Sequence, residues 1–234
     1  MSLHRIAVLL LPFSLSAFAS SYTLYDGALG TAPSAQGWAS FTIGSTEALS
    51  AGAVTLDSTA ASALHAGYGL LAPISLDATV GFDYAFTVRV NSESHSSNDR
   101  AGFSAIVITS NLTGIELGFW QTDVWAQNVG FTHGEDAAFD TTSGLVQYDL
   151  LVQGTSYTLY ENTTALLSGS LRDYSGSAIP PYTVANSLFL GDDTTSAKGS
   201  FSLSAAGLSA PEPGAFVLLA SGLAALLLRK TSRT

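Results

Sequence analysis

The sequence predicts an all-β protein built as a single two-sheet sandwich. Between its two ends the chain is rich in Gly, Ser, Thr and aromatic residues, and no stretch has the 3.6-residue apolar period of an amphipathic helix. Short segments with β-branched or aromatic residues alternate instead with turn residues such as Gly, Asn and Asp. This pattern is typical of many short strands packed in two layers.

The clearest strand is predicted for residues 80–90. Its even-numbered positions are large and apolar, whereas its odd-numbered positions are small or polar. Because successive side chains of a strand point to opposite faces, one face of this strand should lie in the core. The other face should meet solvent or a lighter layer.

The other strands follow in chain order, each bounded by turn residues. They are predicted for residues 104–109, 114–120, 124–129, 144–153, 157–160, 166–171, 187–190 and 200–205. Segment 157–167 is predicted to be a hairpin with a turn of four or five residues. Around a dozen short strands in one domain indicate a two-sheet sandwich, and we assign this domain to residues 20–209.

The end of this domain resembles known sandwiches. A strand at 188–190 enters a Gly-Asp loop at 191–192, and the chain returns on a final strand near 199–203. Together with the 157–167 hairpin, this order resembles the concanavalin A and laminin-G class of jelly rolls. It is also similar to the bacterial surface modules called choice-of-anchor. The resemblance implies a jelly-roll sandwich but names no ligand.

The first 19 residues have the three parts of a secretory signal peptide. A basic start at Arg5 precedes an apolar run over 6–11, and the small residues Ala17 and Ala19 form an A-x-A-like site. The apolar run is shorter than the roughly 20 residues that span a bilayer. We therefore expect export and cleavage after Ala19 by signal peptidase.

The last 25 residues, 210–234, also have three parts in order. A Pro-Glu-Pro triplet is followed by an uncharged run over 214–228 and by a cationic end. The run of about 15 residues is a marginal transmembrane helix, and flanking cations favour the cytoplasmic side. The triplet and the cations are Pro211, Glu212, Pro213, Arg229, Lys230 and Arg233.

This tripartite end resembles the sorting segment of the PEP-CTERM proteins. Such proteins are exported by Gram-negative bacteria that make extracellular polysaccharide, and a transpeptidase-like exosortase processes them. The resemblance implies an exosortase-like partner and transient anchoring through segment 210–234. The body would then lie in the cell envelope or outside the cell, in a biofilm matrix.

Composition excludes several function classes for the body. The chain has no Cys, so a disulfide, a thiol nucleophile and a thiolate metal site are all excluded. Its net charge is −10, and every acidic residue except Glu212 lies between 20 and 209. Such a surface repels phosphate backbones, so we expect no nucleic-acid partner.

The first candidate site is the adjacent pair Asp192 and Asp193. Calcium takes six to eight oxygen ligands, and a second loop, either 98–99 or 135–140, could complete the set begun by this pair. A Gly-Asp-Asp sequence is also ordinary turn chemistry. Calcium is therefore a possible cofactor, and a simple turn is the alternative.

The second candidate site is the pair Trp120 and Trp125, on neighbouring strands across a turn. Exposed aromatic rings stack on sugar faces, whereas a large ring in a sandwich is often buried in the core.

The third candidate site consists of the polar segments that contain His95 and His133. We expect these segments to be solvated loops. The alternative is that the two histidines form part of a metal site or an acid-base pair.

No motif of a known enzyme class is present. The chain lacks the G-x-S-x-G elbow, the P-loop, H-E-x-x-H and the Rossmann fingerprint. It also lacks a run of carboxylates along one strand, and Glu116 stands alone in an apolar segment. The sequence therefore predicts a non-catalytic exported sandwich that binds glycan, with extracellular polysaccharide as a partner.

Two alternatives remain open. Paired carboxylates can come from separate strands, so a secreted glycosidase or lyase is the first. A structural, self-associating surface module without a small ligand is the second.

Overall fold

Antiparallel strands in two sheets make up the described part of the chain, residues 19–50 and 52–211 of a computed structural model. The first sheet has the order β13-β12-β11-β6-β16-β4-β3, with β1 beside β16. Its strands are β1 (Ala19–Asp26), β3 (Thr46–Ser50), β4 (Ala53–Asp57), β6 (Phe82–His95), β11 (Val146–Gln153), β12 (Ser156–Glu161), β13 (Thr164–Ser170) and β16 (Ala197–Pro211).

The second sheet has the order β10-β9-β8-β7-β15-β5-β2, with β14 beside β8. Its strands are β2 (Ala39–Ile43), β5 (His65–Leu71), β7 (Ser104–Ile108), β8 (Thr113–Phe119), β9 (Asp123–Asn128), β10 (Thr132–Ala138), β14 (Arg172–Asp173) and β15 (Ser187–Asp192). Two short 3-10 helices, Gly27–Leu29 and Pro33–Gln36, lie between β1 and β2. The predicted all-β, two-sheet jelly roll is confirmed.

The core lies between the two sheets, and β6 contributes its predicted apolar face. The even-numbered residues of β6 from Phe82 to Val90 are at most 2 % exposed. Phe86 stacks on Tyr148 of the same sheet at 5.5 Å between ring centroids, and it meets Phe119 of the second sheet edge-on at 5.9 Å. Fully burying such a side chain stabilises the fold by about 1.5–3 kcal/mol.

Several strands were not predicted, and their composition explains why. β3 has no alternating apolar pattern, the alternation in β2 covers only five residues, and both strands are exposed at every position. β5 carries Gly67 and Gly69, and glycine is a residue type that is depleted in strands. β10 contains His133, and β6 continues to His95, so the predicted polar loops at these two histidines are in fact strands.

The central strands of the second sheet are covered on both faces. All residues of β7 and β15 are buried, and the chain between β14 and β15 lies over the outer face. A second apolar cluster forms there, separate from the main core. Its members are Ile106, Ile108, Tyr174, Tyr182 and Phe189.

The predicted signal peptide and sorting segment lie outside the described residues, apart from Ala19 and Pro211, which begin β1 and end β16. Ala17, Glu212, Pro213, Arg229, Lys230 and Arg233 are among the residues not described. Within 19–50 and 52–211, no helix is long and apolar enough to cross a membrane.

Candidate functional site

The outer face of the second sheet brings together side chains from strands that are distant in sequence. Glu116 on β8 pairs with Ile106 on β7, which pairs with Phe189 on β15, which in turn pairs with Gly69 on β5. Directly paired residues share a face of the sheet. These residues therefore form one row across the sheet.

A pocket of about 590 Å³ opens over this row. Its polar lining comes from β8, β9 and two loops, and includes Arg100, Glu116, Gln127 and Asp193. Its apolar lining comes from β2, β5, β15, the turn after β9 and the segment before β15, and includes Phe41, Leu71, Phe131, Ile179 and Phe189. A volume of this size is typical of a small-molecule site.

Glu116 lies at the base of the pocket and is 5 % exposed. Its carboxyl group accepts hydrogen bonds from the Ser104 hydroxyl, at 3.0 Å, and from the Tyr182 phenol. Burial, together with the charge of Asp193, raises the pKa of Glu116 to about 8, although the two hydrogen bonds and Arg100 oppose the shift. Glu116 therefore carries a proton near neutral pH.

Arg100 places a cation at the same pocket. Its guanidinium carbon lies 4.9 Å from the centroid of the Phe131 ring. Its Nη1 donates to the backbone carbonyl oxygens of Asp99, at 2.5 Å, and Phe131, at 3.2 Å. Among the described residues, Nε and Nη2 of Arg100 have no hydrogen-bond acceptor, so these donors are available to a ligand.

The predicted pair Asp192 and Asp193 is divided between two environments. Asp192 is fully buried and accepts hydrogen bonds from the Ser58 hydroxyl and the Thr194 backbone N–H. Burial raises its pKa to about 7. Asp193 instead lines the pocket, where burial raises the pKa of its carboxyl group and Arg100 opposes the shift.

The calcium prediction is not tested by these contacts. Both oxygens of Asp192 already accept hydrogen bonds from protein groups. Within the described residues, no group of three or more His, Asp or Glu side chains is arranged to hold a metal ion. Calcium binding at Asp192 and Asp193 therefore stays a prediction.

The predicted aromatic pair Trp120 and Trp125 lies beside the pocket, with ring centroids 5.6 Å apart. Trp125 is 1 % exposed, and His133 stacks on it at 4.5 Å with an interplanar angle of 15°. Gly118 leaves room for this indole, because a Cβ there would lie 2.6 Å from the Trp125 ring. Trp125 thus takes the alternative, buried role in this structure.

Trp120 is partly exposed and supports Arg100. It stacks on His95 at 4.1 Å and donates its indole N–H to the carbonyl oxygen of Arg100 at 2.8 Å. His95 in turn lies 3.0 Å from the Glu93 carboxylate. The histidines, predicted as solvated loop residues or as a metal or acid-base site, pack instead against tryptophans.

The sequence did not identify most of the pocket. Arg100, Gln127 and Tyr182 have no local motif, and they converge only because the sheet order places their strands and loops together. Glu116 did carry a signal. It interrupts the apolar pair Ile115 and Leu117, so the period of a strand places it on the face opposite to the core.

No protein-family model and no curated protein sequence matches the chain. Solved structures do match. A carbohydrate esterase from the Shiga toxin-encoding bacteriophage phi24B is 13% identical, with a TM-score of 0.59 over 82% of this chain and 100% of the other. This chain has a galectin-like jelly-roll fold.

Two further structures support that statement. A Bacillus subtilis protein of unknown function with a galectin-like fold is 9% identical, with a TM-score of 0.52 over 83% of this chain and 100% of the other. A point mutant of the Emp46p carbohydrate recognition domain is 12% identical, with a TM-score of 0.51 over 80% and 95%. At such identities the similarity shows the fold alone.

Proposed function

We propose that the protein is a non-catalytic glycan-binding sandwich, exported and sorted through its C-terminal segment. One observation carries the proposal: Arg100, Asp193 and Gln127 line the same pocket as the rings of Phe131 and Phe189. Sugars present hydroxyl groups around a ring with an apolar face. A pocket with both polar groups and aromatic walls matches them.

Each group has a distinct part in this proposal. The free Nε and Nη2 of Arg100 donate to two neighbouring sugar hydroxyls, because a guanidinium presents its donors as a fork. The Asp193 carboxylate accepts from a third hydroxyl. The Phe131 ring, which already carries the Arg100 guanidinium on one face, fixes the position of those donors.

Glycan arrays with the purified protein test this binding. Arg100→Ala should weaken glycan binding by about tenfold to a hundredfold, because a hydrogen bond from a charged donor contributes about 1.5–3 kcal/mol. Arg89→Ala is the matched control, since Arg89 is an exposed cation on β6 in the other sheet. Equal effects of the two substitutions, or no bound glycan at all, would contradict the proposal.

Export and sorting form the second part of the proposal and are supported by the two ends of the sequence. Deleting 211–234 should release the protein from the envelope into the medium or leave it unprocessed. The measurement is the amount of protein in membrane and culture fractions. An unchanged distribution would remove exosortase-like processing from the proposal.

A secreted carbohydrate-active enzyme is the second candidate, favoured by one specific observation. Glu116 holds a proton near neutrality and interacts with the charge of Asp193 in the same pocket, as a general acid beside a second carboxylate would. Released reducing ends or unsaturated products from extracellular polysaccharides, lost in Glu116→Gln, would favour the enzyme. Binding without any product would favour the lectin-like function.

A further inference from the structure

One side of the pocket is lined by exposed apolar side chains. Phe41 on β2 is 40% exposed, Leu71 at the end of β5 is 66% exposed, and Ile179 before β15 is 51% exposed. All three line the pocket. Ile43, two residues beyond Phe41, is 53% exposed and extends the same strand face.

The strand register explains why Phe41 and Leu71 lie on the same face. Phe41 pairs with Gly67, and Leu71 pairs with Ser187, so all of these positions share the outer face of the sheet. Gly67 leaves space for the Phe189 ring, because a Cβ there would lie 2.5 Å from it. Phe41 then meets that ring edge-on at 6.2 Å.

These apolar groups continue the polar part of the pocket. Phe189 pairs with Ile106, and Ile106 pairs with Glu116, so a row across three neighbouring strands joins the apolar lining to the carboxyl group. Arg100 and Asp193 line the same opening. The pocket therefore presents hydrogen-bonding groups on one side and uncovered apolar surface on the other.

A sugar ring alone leaves this apolar surface in water. Single exposed apolar residues are common on protein surfaces, whereas several that adjoin a ligand pocket mark a binding surface. The pocket of about 590 Å³ also has room for more than one sugar ring. An occupant that matches both sides has a polar, hydroxyl-rich part and an apolar part.

We propose that the ligand is a glycan that carries an alkyl or acyl substituent. Its sugar lies against Arg100 and Asp193, and its substituent lies across Phe41, Leu71 and Ile179. This inference rests on the proposed glycan-binding function and adds the chemical class of the ligand.

Paired glycosides test the inference. The probes are the methyl and hexyl β-D-glucosides and β-D-galactosides, titrated calorimetrically into the full protein below the micelle concentration of the hexyl compounds. The hexyl compound should bind at least about tenfold more tightly than its methyl partner, because burying even part of its extra methylene groups favours binding.

Variants locate the effect. Leu71→Ser and Ile179→Ser should bring the hexyl-to-methyl affinity ratio close to one, because they remove the apolar side chains that only the hexyl chain reaches. Leu49→Ser is the matched control, since Leu49 is 50% exposed on β3, at the edge of the other sheet. The control should keep the wild-type ratio.

The possible outcomes separate this inference from the function on which it rests. Methyl and hexyl glycosides that bind equally well overturn the substituent and leave the glycan-binding function standing. If neither glycoside binds, both proposals fall. Light scattering tests a different occupant of the apolar surface, namely a second copy of the chain. If the Leu71→Ser and Ile179→Ser variants have a lower mass in solution than the wild type, the apolar surface is assigned to that second copy.

Discussion

Glu116 has an unusual setting for a carboxylic acid. It lies in an apolar strand, is almost fully buried, and accepts hydrogen bonds from a serine hydroxyl and a tyrosine phenol. Its partners can satisfy a carboxylate, yet burial and the charge of Asp193 favour the protonated form. The residue is therefore neutral where an exposed glutamate is charged.

The raised pKa of Glu116 has a measurable effect on stability. An unfolded glutamate ionises near pH 4.3, whereas folded Glu116 ionises near pH 8, so folding stability should fall as pH rises between these values. Glu116→Gln should remove this part of the decrease, worth roughly 3–4 kcal/mol between pH 5 and pH 8. Urea unfolding at pH 5 and pH 8 measures it.

The surface variant Glu161→Gln, on the β12–β13 hairpin, is the control for that measurement. It should show the same loss of stability between pH 5 and pH 8 as the wild type. If Glu116→Gln also keeps the whole wild-type decrease, the pKa of Glu116 is not raised in the folded protein.

At the scale of elements, small residues on β8 and β5 set the shape of the outer face. Gly118 lies under the Trp125 indole, and Gly67 lies under the Phe189 ring. Both rings can therefore lie close to the sheet, Trp125 beside Trp120 and Phe189 in the apolar lining of the pocket. Glycine is used here for its lack of a side chain.

Gly118→Ala should disturb this arrangement. The new methyl group would lie 2.6 Å from the buried Trp125 ring, and overpacking of this kind typically costs about 1–3 kcal/mol. We expect a lower free energy of unfolding and an altered near-ultraviolet circular dichroism from the tryptophans. Gly144→Ala is the control, because a Cβ there meets nothing within 4 Å, and a similar loss in both variants would contradict the explanation.

The sequence predicted the elements whose pattern is local. The alternation that runs from Phe82 to Val90 predicted the central strand of the first sheet, and the 157–167 segment predicted the β12–β13 hairpin. The predicted turn of four or five residues was wrong, because Glu161 pairs with Thr164 and the turn has two residues, 162–163. The sequence pattern did not predict β2 and β3, which are exposed on both faces. The sequence specifies such an exposed edge strand only weakly, because neither of its faces is buried.

The pocket lies beyond such local reasoning. Arg100, Glu116 and Asp193 come from three separate parts of the chain and meet only after β7, β8 and β15 pair. The sequence predicts Asp192 and Asp193 as one pair, yet the two side chains have different surroundings. The sequence showed which residue types were present, and the sheet order decided which of them came together.

For the whole molecule, negative charge is the dominant electrostatic feature. The net charge is −10, and burial raises the pKa of Asp83, Asp192 and Asp193 as well as of Glu116. Divalent cations should screen the repulsion among the ionised acidic groups. The folded state therefore gains stability when such cations are added.

Calcium and magnesium at equal concentration provide the test at this scale. We expect both to raise the melting temperature at pH 7, because both screen the acidic surface. A further rise that is specific to calcium, reversed by chelator and absent from Asp193→Asn would establish the predicted calcium site, because a ligand bound only to the native state stabilises it. Equal rises for the two cations would remove Asp192 and Asp193 as calcium ligands.

β1 and β16 lie side by side in the first sheet, and under the proposed export and processing this placement would separate maturation from recognition. The pocket on the second sheet takes its lining from residues between 39 and 196, so trimming at either terminus removes none of its groups. Newly secreted, membrane-held and released forms of the protein would then recognise the same ligand with the same affinity. Processing would change where the protein acts and leave its chemistry intact.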